Sequence, residues 1–177
     1  MKQNDKNVSP RSNEGRNAYV VEHITSAMLD LLKEKPMEYI SISELADRAQ
    51  VGRVSFYRNY NSKDEVLKVY LEKLFDEWAS NSKSENNEPL SELLRKMISH
   101  FEKNRSFYEL LNNRGLIYLL KDTIINSIGL NPDCEKEEAY IKAFAAYALY
   151  GWIETWFQRG MKESADEIAG MFKGFGL

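Results

Sequence analysis

The stretch from Ser41 to Tyr60, SISELADRAQVGRVSFYRNY, predicts two short helices joined by a tight turn. Ser41 and Glu44 have the spacing of a capping box, in which the serine hydroxyl and the glutamate carboxylate each accept a hydrogen bond from an amide at the helix start. We therefore expect the first helix to begin near Ile42. Three apolar residues then share one face at helical spacing: Leu45, Ala46 and Ala49.

Gly52 separates the two predicted helices. Glycine is tolerated at an N-cap and permits unusual backbone angles, so the second helix can begin at Arg53. Phe56 and Tyr60 lie one turn apart, and we expect both to pack against the first helix. The side chains that then project outward are Arg53, Val54, Tyr57 and Arg58. This layout is typical of a helix-turn-helix, whose second helix enters the major groove of DNA.

The charge of this stretch favours a nucleic-acid partner. Arg48, Arg53, Arg58 and Lys63 occur between residues 48 and 63, with no aspartate or glutamate among them. Such a patch attracts a phosphate backbone, although the whole chain has a formal net charge of -3. Spacing and charge are equally compatible with an ordinary surface helix pair that carries scattered arginines.

The stretch and its flanks resemble the DNA-binding domain of the TetR (tetracycline-repressor-like) family of bacterial transcription regulators, over roughly residues 18–78. The residues that carry the resemblance are Ser41, Leu45, Ala46, Ala49, Val51, Arg53, Ser55, Phe56, Tyr57, Tyr60, Ser62 and Lys63. The resemblance implies an all-α fold, in which an N-terminal three-helix helix-turn-helix DNA-binding domain is followed by a helical C-terminal domain for ligand binding and dimerisation.

Three residues depart from the family pattern. Gln50 stands where the family usually has glycine, and a non-glycine residue with positive φ costs about 1 kcal/mol or more. Gly52 replaces a common serine, which removes a hydroxyl but leaves the backbone amide. Val54 stands where a smaller residue is frequent, and its methyl groups can contact a thymine methyl. These departures affect the operator sequence more than DNA binding itself.

Composition agrees with an all-α globular chain. Of 177 residues, 43% are hydrophobic and 29% are charged, and no alternating strand pattern occurs. Cys134 is the single cysteine, which excludes an internal disulfide and fits a reducing cytoplasm. The polar N-terminus lacks the apolar stretch of a signal peptide. We therefore expect a cytoplasmic protein.

The chain divides into four predicted regions. Residues 1–16 form a polar, basic-tinted arm, which can follow the minor groove or remain a tail without contacts. Residues 17–78 form the DNA-binding domain, with a first helix from Asn17 to Glu34 and a linking helix over residues 63–79. A polar loop covers residues 79–89, and residues 90–177 form the effector-binding and dimerisation domain.

The most apolar stretch runs from Ala139 to Phe157. A membrane span needs about 20 apolar residues, and the charges of Lys142 and Glu154 argue against one. We expect instead a helix that faces both the domain interior and a second subunit, pairing with a last helix that begins at a capping box of Ser164 and Glu167. The residues predicted for this dimer interface are Tyr150, Ile153, Phe157, Ile168 and Phe172.

Aromatic residues are dense in the C-terminal half. They can simply pack the core, but Tyr and Trp also suit ligand pockets, because each combines an apolar body with a polar tip. The family resemblance implies a pocket for a small apolar or aromatic effector. Its predicted lining is Met97, Phe101, Tyr108, Leu111, Tyr118 and Tyr147.

Together with the family resemblance, these observations predict a homodimeric regulator, a repressor that leaves a near-palindromic double-stranded DNA operator when its effector binds. Arg53, Val54 and Ser55 are expected at base edges. The resemblance implies a phosphate contact for Lys63. The full set predicted to contact DNA is Ser41, Arg48, Gly52, Arg53, Val54, Ser55, Tyr57, Arg58, Asn59 and Lys63.

Two other classes of function have less support in the sequence. An enzyme needs a nucleophile with a base, a paired acid and base, a metal cluster or a phosphate loop. His23 and His100 are isolated in the sequence, and Cys134 has no neighbouring partner. We therefore expect no catalytic residue, metal or cofactor. The remaining alternative is a helical protein-interaction or membrane-associated module that does not bind DNA.

Overall fold

The computed structural model describes residues 13–81, 88–131 and 133–175. These residues are all-α, which confirms the predicted fold class. The first helix begins at Asn13 and not at Asn17, so residues 13–16 of the predicted arm are helical. Residues 1–12 of that arm lie outside the described ranges. The helices are α1 (Asn13–Glu34), α2 (Ile42–Arg48), α3 (Arg53–Asn59), α4 (Lys63–Asn81), α5 (Leu90–Lys103), α6 (Arg105–Asn113), α7 (Leu120–Ser127), α8 (Lys136–Gln158) and α9 (Ala165–Gly174), with 3₁₀ turns at Met37–Tyr39 and Ile117–Leu119.

The chain separates into two compact units, which divide between Tyr70 and Leu71. The division falls within α4, N-terminal to the polar segment of residues 79–89. Among the described helices, none has the length and apolar character that crossing a membrane requires.

The core of the first unit is formed by α1, α2 and α3. One apolar stripe of α1 is buried, and Leu45 and Ala46 of α2 have no exposed surface. Phe56 is fully buried and Tyr60 is 2% exposed, so both pack inward as predicted. The buried stripe of α1 consists of Ile24, Ala27, Met28, Leu31 and Leu32.

The two predicted capping boxes differ in the structure. At α9, the Glu167 amide donates to Ser164 Oγ and the Ser164 amide donates to Glu167 Oε2 at 2.7 Å, so this box is complete. At α2, Ser41 Oγ accepts from the Glu44 amide at 3.1 Å, but the Glu44 carboxylate binds Lys35 Nζ at 2.7 Å instead. The reciprocal half predicted for Ser41 is therefore wrong, because a lysine competes for the carboxylate.

The second unit has an aromatic core. Phe101 and Tyr108 pack edge to face with their ring centroids 4.7 Å apart, and the Phe157 centroid lies 5.3 Å from that of Phe101. These three side chains and Trp156 are at most 1% exposed. Such edge-to-face pairs contribute about 0.5 to 1.5 kcal/mol beyond the area they bury. These four aromatic side chains therefore form part of the core of the second unit.

Gln50 offers a test of backbone strain in the turn. It is exposed and has φ 55°, a left-handed conformation. Gln50→Gly is expected to raise the free energy of unfolding by roughly 0.5 to 1 kcal/mol, because glycine adopts this conformation without steric cost. Urea unfolding measures the change.

Met161 supplies the matched control. Its φ is 53°, but its side chain is only 4% exposed. Met161→Gly is expected to lower the free energy of unfolding by about 2 kcal/mol or more, because the lost burial outweighs the relieved strain. A decrease in stability for Gln50→Gly would contradict the assignment of strain to the turn.

Candidate nucleic-acid interface

The turn before α3 is set by backbone hydrogen bonds. The Val51 amide donates to the Ala46 carbonyl at 3.0 Å, and the Gln50 amide donates to the Asp47 carbonyl at 3.1 Å. This pair of bonds is a Schellman motif, which requires a left-handed residue directly after the C-cap. Gln50 occupies that position. Gly52 is then the N-cap of α3, as predicted, with φ -71° and ψ 145°.

The outward face of α3 carries two cations, an aromatic ring and an aliphatic side chain. Val54 is 67% exposed and Tyr57 is 53% exposed, and Arg53 and Arg58 are also exposed. No ion pair within the described part of the chain engages either arginine. These four residues are the ones that the sequence predicted to project outward.

Ser55 and Asn59 lie on the flank of α3 and not on its outward face. Both are half-buried, and Asn59 Nδ2 donates to the Ser55 carbonyl at 2.8 Å. Ser55 is therefore less accessible to a base edge than Arg53 or Val54. Gly52 is exposed, with open space where a side chain would be.

Arg48 and Ser41 make contacts within the chain. The Arg48 guanidinium binds the Glu34 carboxylate through two hydrogen bonds of 2.8 and 3.1 Å, and it holds the pKa of Glu34 below its usual range. Together with the pair of Lys35 and Glu44, this contact joins α2 to the C-terminal end of α1. The positive charge of Arg48, which was predicted to contact DNA, is therefore partly neutralised by Glu34.

Lys63, at the start of α4, also binds within the first unit. Its ammonium donates to the carbonyls of Met37 at 2.7 Å and Ile40 at 2.5 Å. An ammonium has three donors, so one remains for another acceptor. Lys63 therefore holds the 3₁₀ turn against α4.

Most of the residues predicted for the effector pocket lie either in the core or on the surface. Phe101, Tyr108 and Leu111 are fully buried in the core, whereas Tyr118 and Tyr147 are 55% and 51% exposed. The ammonium of Lys121 lies 5.3 Å from the centroid of the Tyr147 ring. Of the six predicted residues, Met97 alone lines the cavity of the second unit, which is described next.

A cavity of about 500 Å³ lies among α4, α5 and α7 in the second unit. Its volume is within the range of small-molecule sites. Aromatic side chains and carboxylates share its lining, which is Glu72, Phe75, Asp76, Trp78, Ala79, Glu88, Leu93, Lys96, Met97, Thr123, Asn126 and Ser127.

Comparisons with known proteins agree with this architecture. Residues 24–70 match the family model described as bacterial regulatory proteins, tetR family, and residues 88–175 match that of a transcriptional regulator C-terminal region of the TetR type. The chain belongs to the TetR family. The tetR match includes the turn and the whole of α3.

The proteins that resemble this TetR chain include the following two. One is an uncharacterized HTH-type transcriptional regulator, YxbF of Bacillus subtilis strain 168, which is 26% identical over 160 residues. The match covers 82% of this chain and 42% of that protein, so the chain spans about two fifths of the length of the curated relative it matches. The other is the crystal structure of a TetR transcriptional regulator from Streptococcus agalactiae 2603V. Its TM-score is 0.59 at 19% identity, and the match covers 90% of this chain and 94% of that one.

Membership of the TetR family bears on the enzyme alternative. The family consists of transcriptional regulators, so the expectation that the chain is not an enzyme is confirmed. His100 donates or accepts a hydrogen bond with the Tyr108 hydroxyl at 3.0 Å within the core. Burial, and secondly the charge of Lys103, lower the pKa of His100 to about 4. His100 is therefore a neutral core residue at pH 7.

The residues predicted for the dimer interface of this TetR chain are mostly internal. Ile153, Phe157 and Phe172 are fully buried and Ile168 is 5% exposed, so these side chains offer almost no surface to a second chain. Tyr150 is half-buried, and its hydroxyl donates to Glu154 at 2.8 Å. Burial first, and then this contact with Glu154, raise the pKa of Tyr150 to about 12.

The sequence did not show which residues form the exposed apolar face of α8, nor which residues line the cavity. Tyr140, Phe144 and Tyr147 are 72%, 55% and 51% exposed, and they recur at helical spacing. On α4, Glu72, Phe75, Asp76 and Ala79 also share one face. This mixture of carboxylate and aromatic residues on one face of a helix could have indicated the cavity from the sequence.

Lys63 provides a test of the contacts that hold the chain together next to α3. Lys63→Ala is expected to lower the free energy of unfolding by about 1 to 3 kcal/mol, because two carbonyls lose a charged donor. Lys73 is an exposed lysine on the same helix, 3.9 Å from Glu77. Lys73→Ala is expected to change stability by less than about 0.5 kcal/mol. Equal values for both variants in urea unfolding would contradict a structural role for Lys63.

Proposed function

We propose that this TetR-family chain is a homodimeric, sequence-specific DNA-binding regulator that acts as a repressor in the bacterial cytoplasm. A small molecule releases it from a near-palindromic operator. The observation that carries the proposal is the outward face of α3, where Arg53 and Arg58 are exposed beside Val54 and Tyr57. Arginines that form no ion pair with another described residue are suited to base edges and phosphates.

In a helix-turn-helix, the N-terminal residues of the second helix, here α3, enter the major groove first. We assign Arg53 and Val54 to base edges, because they lie at that end of the exposed face. Tyr57 and Arg58 lie one turn further on and are assigned to phosphates. The remaining donor of Lys63 is assigned to a phosphate as well. Arg48 contributes mainly through its pair with Glu34.

Selection of bound sequences from a random duplex pool, at two salt concentrations, tests these assignments. Arg53→Ala is expected to relax base preference at one position of each half-site, by about 1 to 3 kcal/mol. Arg58→Ala and Lys63→Ala are expected to weaken all duplexes alike. Each should also reduce the salt slope by about one unit for every phosphate that the variant no longer binds.

The same selection tests DNA binding and symmetry. A dimer enriches two half-sites related by a two-fold axis, separated by about one helical turn or somewhat more. If no duplex is enriched even at low ionic strength, the proposed function is wrong. If base preference changes in Arg58→Ala and not in Arg53→Ala, the two assignments are reversed.

The dimer contact is proposed on the exposed faces of α8 and α9. Tyr140, Phe144 and Tyr147 form an apolar stripe on α8, and Met171 and Phe175 of α9 are 46% and 75% exposed. An exposed apolar stripe such as that of α8 is typical of interaction sites. Two copies of the helix pair would form an isologous four-helix contact.

Phe144 tests the dimer contact. Phe144→Glu is expected to shift the chain from dimer to monomer and to weaken operator binding by at least tenfold, because the charge cannot be buried and both half-sites are no longer held together. Tyr118, in the same unit and also 55% exposed, is the matched control. Tyr118→Glu should leave the dimer intact in sedimentation velocity. A dimeric Phe144→Glu variant would remove this face from the proposal.

The cavity of about 500 Å³ that α4, α5 and α7 line is the proposed effector site. Helix α4 begins at Lys63, and further along it supplies the cavity residues from Glu72 to Ala79. A ligand that favours one position of α4 would change the population of DNA-binding conformations. Release of a labelled operator duplex when ligand is added measures this coupling.

A further inference from the structure

The walls of the cavity are aromatic and aliphatic. Phe75 and Trp78 of α4 pack edge to face with ring centroids 5.7 Å apart, and Leu93 and Met97 of α5 also line the space. Such walls can take the apolar body of a ligand. The faces of aromatic rings also attract cations.

Two carboxylates stand beside this apolar lining. Glu72 and Asp76 are exposed and lie one turn apart on α4, where like charges repel each other. Neither has an ion-pair partner within residues 13–81, 88–131 and 133–175. A ligand cation between them would relieve the repulsion.

The ammonium that lines the cavity is already neutralised. Lys96 forms an ion pair with Glu88, whose side chain is 12% exposed. Glu88 Oε2 is buried and accepts no hydrogen bond from the described residues. A buried acceptor of this kind lacks a donor. With Glu72, Asp76 and Glu88 against Lys96, the lining has three negative charges and one positive charge, a formal balance of -2.

The residue behind the aromatic wall adds no positive charge. The ring of His100 lies 5.5 Å from that of Phe75 and 5.9 Å from that of Trp78, between centroids. The lowered pKa of His100, about 4, keeps its imidazole neutral at pH 7. His100 therefore does not offset the negative formal balance of the lining.

We propose that this cavity binds an amphipathic organic cation, in which a protonated amine is attached to an aromatic or aliphatic body. The amine lies near Glu72 and Asp76, and the body packs on Phe75 and Trp78. This inference rests on the proposed function, because it names the ligand class for the proposed effector site. From the sequence, an apolar or aromatic effector is expected, with no charge assigned to it.

Three probes of matched shape test the ligand class: phenylbutylammonium, phenylbutanol and phenylbutyrate. Isothermal titration of the full chain at neutral pH and low salt is expected to show the cation binding about tenfold more tightly than the alcohol, with the anion weakest. Added salt should weaken binding of the cation and leave that of the alcohol unchanged. Equal affinity for cation and alcohol, or tighter binding of the anion, would overturn the proposal.

Variants test whether Glu72 and Asp76 supply the negative charge that binds the cation. The double variant Glu72→Gln, Asp76→Asn removes both charges at nearly constant volume, and it is expected to lower affinity for phenylbutylammonium about tenfold while affinity for phenylbutanol stays the same. Glu77 lies on the same helix, does not line the cavity and is near Lys73. Glu77→Gln is therefore the matched control, and it should bind the cation as the unsubstituted chain does. Equal losses in both variants would contradict a site at Glu72 and Asp76.

Operator binding, measured separately, distinguishes failure of this inference from failure of the proposed function. If the cation binds with the expected preference but does not release the operator, the ligand class holds and the effector role is wrong. If the chain binds its operator but shows no preference for the cation, the ligand class alone is wrong.

Discussion

The packing of Phe56 and Tyr60 against α1 and α2 is the constraint on which the DNA-binding unit depends. A helix of seven residues is not stable alone in water, because nucleation costs more than so few hydrogen bonds return. Burial of these two side chains supplies the missing free energy. It also fixes the rotation of α3 about its axis, so Arg53 and Arg58 are left in solvent.

The basic residues around α3 divide into two groups with different tasks. Arg48 and Lys63 bind groups of the first unit, whereas no ion pair among the described residues engages Arg53 and Arg58. The charge pattern of residues 48–63 does not show which basic residues belong to which group. Lys63 meets the carbonyl of Met37, 26 residues away, and only the folded chain brings the two together. The positive charge near α3 is therefore only partly available to DNA.

In the second unit, α8 shows how far an apolar pattern can be interpreted. The sequence indicated a helix that is apolar on more than one side, and α8 does have buried and exposed apolar faces. The assignment of residues to those faces was less successful. Ile153 and Phe157 are internal, whereas Phe144 and Tyr147 are exposed. When apolar residues surround a helix, periodicity does not indicate which side its neighbours cover.

The sequence alone determined the helical class, the turn between α2 and α3, and the outward face of α3. These features are local, because they depend on a period of about 3.6 residues and on caps within a few residues of one another. Only the tertiary structure decided that Arg48 pairs with Glu34, that Phe101 and Phe157 pack in one core, and that α4, α5 and α7 line a cavity. Each of these depends on side chains distant in sequence, whose meeting is set by how the helices pack.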